Sequence, residues 1–119
     1  MKTLFIFLAS FLLACTSTGN QTSNGVNTET FFVAGECSMC KTRIEKTTLK
    51  QPGVETASWN KETKQLTVVF DPAKISVIAI QKAIAAVGHD TPTEQAPDSV
   101  YSKLPHCCHY PRQQTTKGQ

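Results

Sequence analysis

Cys37-Ser38-Met39-Cys40 sets two thiols three residues apart, between the apolar run Thr30-Phe31-Phe32-Val33-Ala34-Gly35 and a helix-like run beginning near Lys41. On a loop opening into a helix, thiols at this spacing hold one soft ion between them, and the positive end of the helix dipole favours their thiolate form. Thiolates select Cu(I), Zn(II) and other thiophilic ions, whereas carboxylates suit hard ones. The same pair also closes a disulfide, as a working redox dithiol or as an inert bond. Glu36 mildly disfavours the Cys37 thiolate and Lys41 mildly favours it.

A second concentration of soft and borderline ligands is His106-Cys107-Cys108-His109. Adjacent cysteines rarely bond to each other, because the short ring strains the peptide. Cys107 and Cys108 are therefore open to binding metal, to folding back on Cys37 and Cys40, to forming disulfides with them, or to bridging two chains.

The first residues read as export machinery. Lys2 is followed by an apolar stretch, Leu4 to Leu13, too short to span a bilayer but suited to a signal-peptide core. Its end, Leu12-Leu13-Ala14-Cys15, resembles the lipobox of bacterial lipoproteins. That resemblance implies cleavage of residues 1–14, lipidation of Cys15, and a protein anchored at the cell envelope and facing the periplasm or exterior. Several acyl chains on one residue anchor stably, where a single chain binds marginally. In that compartment disulfides compete with metal for the remaining four cysteines.

Removal of the leader takes one charge, Lys2, from a net charge of +3. So mild a balance, with no basic run interleaved with aromatics, gives no reason to expect nucleic acid as a partner. Residues 15–29 are polar and rich in Gly, Asn, Ser and Thr, and read as a tether with a reach on the order of 20 Å. Residues 30–91 read as one folded domain and 92–119 as an irregular tail, interrupted by Pro92, Pro97, Pro105 and Pro111, with Gln113 to Gln119 disordered. If the tail folds back, Val100, Tyr101 and Leu104 are the residues to dock it.

Within the domain, Phe31-Phe32-Val33 suggests a first strand. Cys40, Ile44 and Thr47/Thr48 then share a helical face up to Pro52-Gly53. Val54 to Trp59 and Leu66 to Phe70 flank the turn Asn60–Lys64 as a hairpin, with Leu66, Val68 and Phe70 facing the core. Ile75 to Val87 is a helix with Ser76 as N-cap, Val77, Ile80, Ile84 and Val87 as its apolar stripe and Gly88 at its stop. Asp90 to Thr93 adds a short last strand. The order β-α-β-β-α-β is the α+β, ferredoxin-like pattern, an antiparallel sheet with two helices on one face.

Cys37-x-x-Cys40 after a strand, Pro52-Gly53-Val54, Leu66 to Pro72 and Ala86-Val87-Gly88-His89-Asp90 together resemble heavy-metal-associated domains, the copper-chaperone-like modules. The resemblance covers roughly residues 30–91. It implies binding of Cu(I), or another soft ion such as Zn(II), Hg(II) or Cd(II), by Cys37 and Cys40 on an exposed loop. Coordination positions stay open there for a partner's sulfurs, and the partner is a metal-transporting or metal-accepting envelope protein. His89 falls where the family's last loop returns to the metal loop, as a third ligand or as a solvated histidine bonded to Asp90. Arg43, Lys46 and Lys50 form a basic helix face, either solvated or docking an acidic partner as similar faces do in the family. The family's usual Met two residues before the first Cys is Gly35 here, which is expected to loosen the loop.

No nucleophile–base pair, paired carboxylates or phosphate loop is present, so the expectation is a metal carrier, buffer or scavenger and not an enzyme. Two rivals remain. A thiol–disulfide oxidoreductase would use Cys37/Cys40, with Cys107/Cys108 as resolving thiols. A structural zinc module would use all four. The oligomeric state is not set by the sequence.

Overall fold

The computed structural model describes residues 25–112. The leader, Cys15, most of the tether and the segment from Gln113 lie outside the described residues. Elements follow in the order β1 (Asn27–Phe32), α1 (Ser38–Leu49), β2 (Val54–Trp59), β3 (Gln65–Phe70), α2 (Val77–Ala86) and α3 (Asp98–Tyr101), and a 3-10 turn spans His106–Cys108. The strands form an antiparallel sheet in the order β1-β3-β2. Phe31 opposes Leu66, which on its other side opposes Trp59.

Alternation along the strands decides which side is covered. Leu66, Val68 and Phe70 are buried with Trp59, and the two helices add Ile44, Ile80 and Ile84 to the same cluster. Full burial of side chains of this size contributes about 1.5–3 kcal/mol each. Ser76 caps α2 as expected, its hydroxyl accepting from the Ala79 N–H at 3.2 Å. In the hairpin turn the Asn60 side chain accepts from the N–H groups of Glu62 and Thr63, both at 2.9 Å, and Lys64 takes a left-handed φ of 60°. This α+β arrangement is the ferredoxin-like one.

Four expectations are corrected. The sheet begins at Asn27, so the last three residues assigned to the tether belong to β1. Helix α1 begins at Ser38, which places Cys37 at its N-cap and Cys40 in its first turn. Asp90 to Thr93 does not form a strand. Among the described residues its link to the continuation of β1 is one backbone hydrogen bond, from Ala34 N–H to Asp90 C=O at 2.9 Å. Thr91 N–H turns instead to Glu94 C=O at 2.8 Å, and Pro92 has no N–H to give. Finally, residues 92–112 are not merely irregular: α3, Leu104 and Tyr110 pack the tail against the domain, and Leu104 and Tyr110 are buried.

Gly35 also plays a different part from the one expected. A Cβ there would lie 3.0 Å from the Trp59 ring and 3.1 Å from the Cβ of Cys40. The space beneath the loop is filled by the Trp59 indole, whose Nε1–H donates to Val33 C=O at 3.0 Å. The glycine permits close approach and does not loosen the segment. Neither neighbour can retreat, since both are buried. Gly35→Ala is therefore expected to destabilise the domain by about 1–3 kcal/mol, as overpacked cores do, outweighing the smaller gain from a stiffer unfolded chain. Urea denaturation measures this, and a variant as stable as the parent would show that Trp59 is not fixed over the loop.

Candidate metal centre

Cys37 is the N-cap residue of α1 with extended backbone angles, and its side chain makes no capping hydrogen bond. Its sulfur is thus free to face other sulfurs. No acidic residue occupies the first turn of α1, so the positive helix end has no carboxylate competing with a thiolate. Cys40, one turn on, is fully buried, and its sulfur receives the Glu36 N–H at 3.5 Å.

The tail returns to this turn. Cys37 Sγ lies 3.5 Å from Cys40 Sγ, 3.4 Å from Cys108 Sγ and 2.6 Å from Cys107 Sγ. The sulfurs of Cys37, Cys40 and Cys108 all fall within 4.8 Å of one another. Cys107 sits at the outer rim, exposed, with its sulfur 3.6 Å from Met39 Sδ and 4.0 Å from Cys108 Sγ. The four cysteines among the described residues are free thiols. This sulfur cluster is able to hold one soft cation.

His89 is not part of it. The ring is fully buried, its Nδ1 is 2.8 Å from Ala34 C=O, and it stacks on Tyr110 at 5.9 Å. Bonding to a carbonyl makes Nδ1 the protonated nitrogen, and Nε2 is left buried without a hydrogen-bond partner among the described residues. Burial, against the support of Ala34 C=O and together with the charge of Arg43, holds its pKa down at about 4. The residue is a neutral core histidine near neutral pH. Its expected bond to Asp90 is absent too, because Asp90 is held by Arg112. His106 and His109 lie outside the group of converging ligand atoms, and His109 stacks on Tyr101 at 5.2 Å.

Electrostatics sort the sulfurs. Burial opposes ionisation of Cys37, but hydrogen bonds from the Cys107 thiol, the Cys40 backbone and the thiols of Cys108 and Cys40 outweigh it and bring its pKa down to about 6. Cys107, which shares its proton with Cys37, is pushed up. Cys108 is pushed up by burial first and then by its neighbouring sulfurs, with Arg43 Nη1 at 3.5 Å opposing. The expected charge neighbours are engaged elsewhere. Lys41 bonds Glu45 and the Trp59 carbonyl, and Glu36 pairs with Lys64 at 3.6 Å. Arg43 belongs both to the site and to the expected basic face, where it borders a shallow groove of about 390 Å³ with Met39, Lys46 and Lys50.

Residues 30–90 match the heavy-metal-associated domain, and the chain belongs to that family. The copper-exporting P-type ATPase of Bacillus subtilis (strain 168) is 40% identical over 60 residues, half of this chain and 8% of that protein. The zinc-transporting ATPase of Synechocystis sp. is 40% identical over 68 residues, 56% of this chain and 9% of that protein. The chain thus spans less than a tenth of the length of these curated relatives. Among solved structures, the CopZ metallochaperone superposes with a TM-score of 0.53 at 32% identity, covering 55% of this chain and 98% of its own. The tail from residue 91 lies beyond the family match. The domain is a metal-binding module of this family.

The sorted sulfurs make a measurable distinction. Cys37 is expected to be alkylated at a lower pH than Cys107 and Cys108, half-maximally near pH 6, and Cys107→Ala, which removes the donor, should move that midpoint upward. Mass-resolved labelling across pH reads both. A Cys37 midpoint in the ordinary thiol range in the parent chain would contradict the assignment.

Proposed function

We propose that this chain binds Cu(I) through Cys37 and Cys40 and serves at the cell envelope as a carrier, buffer or scavenger of that ion, without catalysing a reaction. The observation that carries the reading is the pair of sulfurs 3.5 Å apart at the N-cap and first turn of α1, one of them favoured as thiolate. Soft sulfur donors with no carboxylate in the group favour Cu(I) over hard ions. The copper-related relatives and the CopZ metallochaperone support the same choice. Zn(II), Hg(II) and Cd(II) are the competing ions.

The leader and the sequence Leu12-Leu13-Ala14-Cys15 support export, lipidation at Cys15 and attachment to a bacterial membrane, the domain facing the periplasm or exterior. We infer a metal-transporting or metal-accepting envelope protein as the partner, approached from the Met39 rim, where Arg43, Lys46 and Lys50 offer positive charge to an acidic surface.

Four clustered cysteines favour a second reading, a structural zinc site. The two readings part on stability. The core is dominated by Ile44, Leu66, Val68, Ile80 and Ile84, with the thiols of Cys40 and Cys108 packed into the same cluster. A carrier stays folded when its ion is removed, whereas structural zinc contributes folding free energy outright. Competitive Cu(I) and Zn(II) titrations of the reduced protein, with Cys37→Ser/Cys40→Ser alongside, decide the matter. The expected result is Cu(I) bound far more tightly than Zn(II), loss of tight Cu(I) binding in the double variant, and an unchanged fold after chelation. Tight Cu(I) binding in the double variant would reject the assignment, and unfolding on chelation would favour structural zinc.

A further inference from the structure

Resting on the Cu(I)-binding reading above, we infer that the C-terminal tail is a built-in ligand arm: Cys108 closes the pair Cys37/Cys40 into a three-sulfur site, and a clasp around Tyr110 and Arg112 holds it there. The match to the family ends at residue 90, so this arm is a property of this chain's own tail.

The first support is the spacing of the sulfurs. Two sulfurs in linear coordination would stand about 4.6 Å apart, twice a metal–thiolate bond of about 2.3 Å as measured for zinc. Cys37 and Cys40 stand 3.5 Å apart, and Cys37 and Cys108 stand 3.4 Å apart. Both separations fit bent S–metal–S angles, which leave room for a third sulfur on the open side. Cys108 occupies that side and is fully buried, with Arg43 Nη1 at 3.5 Å to offset the negative charge that three thiolates accumulate. Binding to the Cys37 thiolate needs no deprotonation, and each bond to a protonated thiol releases its proton to water.

The second support is how firmly the arm is held. Tyr110 Oη donates to Gly88 C=O at 2.7 Å and accepts the Asp90 N–H at 3.0 Å. Tyr101 Oη donates to Tyr110 C=O at 2.6 Å. Arg112 grips both carboxylate oxygens of Asp90, at 2.8 and 3.0 Å, with the guanidinium over the Tyr101 ring at 4.8 Å. Two-point guanidinium–carboxylate pairing of this kind is among the stronger polar contacts. On the other flank, Leu104 packs where a Cβ on Gly88 would strike it at 2.8 Å. The sulfur pair Cys107–Cys108 is therefore fixed from both sides. Tyr110 and Arg112 act as positioning residues, since neither touches a sulfur in the contacts above.

An ion held by three sulfurs, one on an arm that must lift away, is retained and not displayed on an open loop. Among the three roles proposed, this favours buffering or scavenging over rapid hand-over.

The test counts sulfurs by X-ray absorption spectroscopy on the reduced full chain loaded with one equivalent of Cu(I). Three sulfurs per copper are expected in the parent chain and in Cys107→Ser, and two in Cys108→Ser. Arg112→Ala keeps every cysteine yet should also shift toward two sulfurs, and should release Cu(I) to a competing chelator about tenfold more readily, the scale of losing an outer support of a metal site. Two sulfurs in the parent chain, a reading that needs no variant to fold, would overturn the inference while leaving the Cys37/Cys40 assignment intact. Three sulfurs persisting in Cys108→Ser would also overturn it, because the third would then come from Cys107 or a second copy. Copper bound equally well by Cys37→Ser/Cys40→Ser would instead sink the underlying reading.

Discussion

Trp59 is the residue on which the site depends. Its indole lies against Gly35, on which Cys40 also closes, and its Nε1–H is bonded to Val33 C=O. Its backbone N–H donates to the Glu45 carboxylate at 2.9 Å, and its carbonyl accepts from Lys41 at 2.7 Å. One residue at the end of β2, through its indole and its backbone, thereby fastens the exit of β1 to the first two turns of α1. The spacing of Cys37 and Cys40 comes from the start of α1, and Trp59 holds that start against the sheet. The sulfurs are presented by packed elements and not by a free loop, which is what reproducible coordination geometry demands.

Charge at the site is asymmetric. Cys37 gains thiolate character from hydrogen bonds donated by its neighbours, while Cys107 and Cys108 hold their protons more firmly than ordinary thiols. An incoming cation meets one anionic sulfur first and displaces protons as others join, so binding weakens as pH falls. His89 takes no part in that titration near neutral pH, being neutral and bonded to the backbone at Ala34. Its place in the fold is to join α2 to the strand exit across the core.

Much of the scaffold was legible in the sequence because it rests on periodicity. Leu66, Val68 and Phe70 alternate, Ile80 and Ile84 repeat at helical spacing, and the Ser76 cap and Gly88 stop sit where their backbone roles require. The Cys37/Cys40 pair was legible from its spacing. The tail was not, because it carries no period: its order comes from single long-range contacts such as Arg112 with Asp90 and Tyr110 with Gly88. The last strand was misread because Thr91 and Pro92 turn the chain away from the ladder after one hydrogen bond. Gly35 was read as freedom when it is a close contact, and Arg43 as part of a surface face when it also reaches Cys108. The misses at the tail, Gly35 and Arg43 are contacts between distant residues, which local pattern does not encode.

Everything at this site requires that Cys37 and Cys40 remain reduced and share a soft ion. The most direct measurement is native mass spectrometry of the protein recovered from its producing cell, followed by chelation and thiol alkylation under an acid quench. One copper per chain is expected, with alkylation of both residues once the copper is withdrawn. A chain free of metal in which Cys37 and Cys40 are bonded to each other and resist alkylation would contradict it.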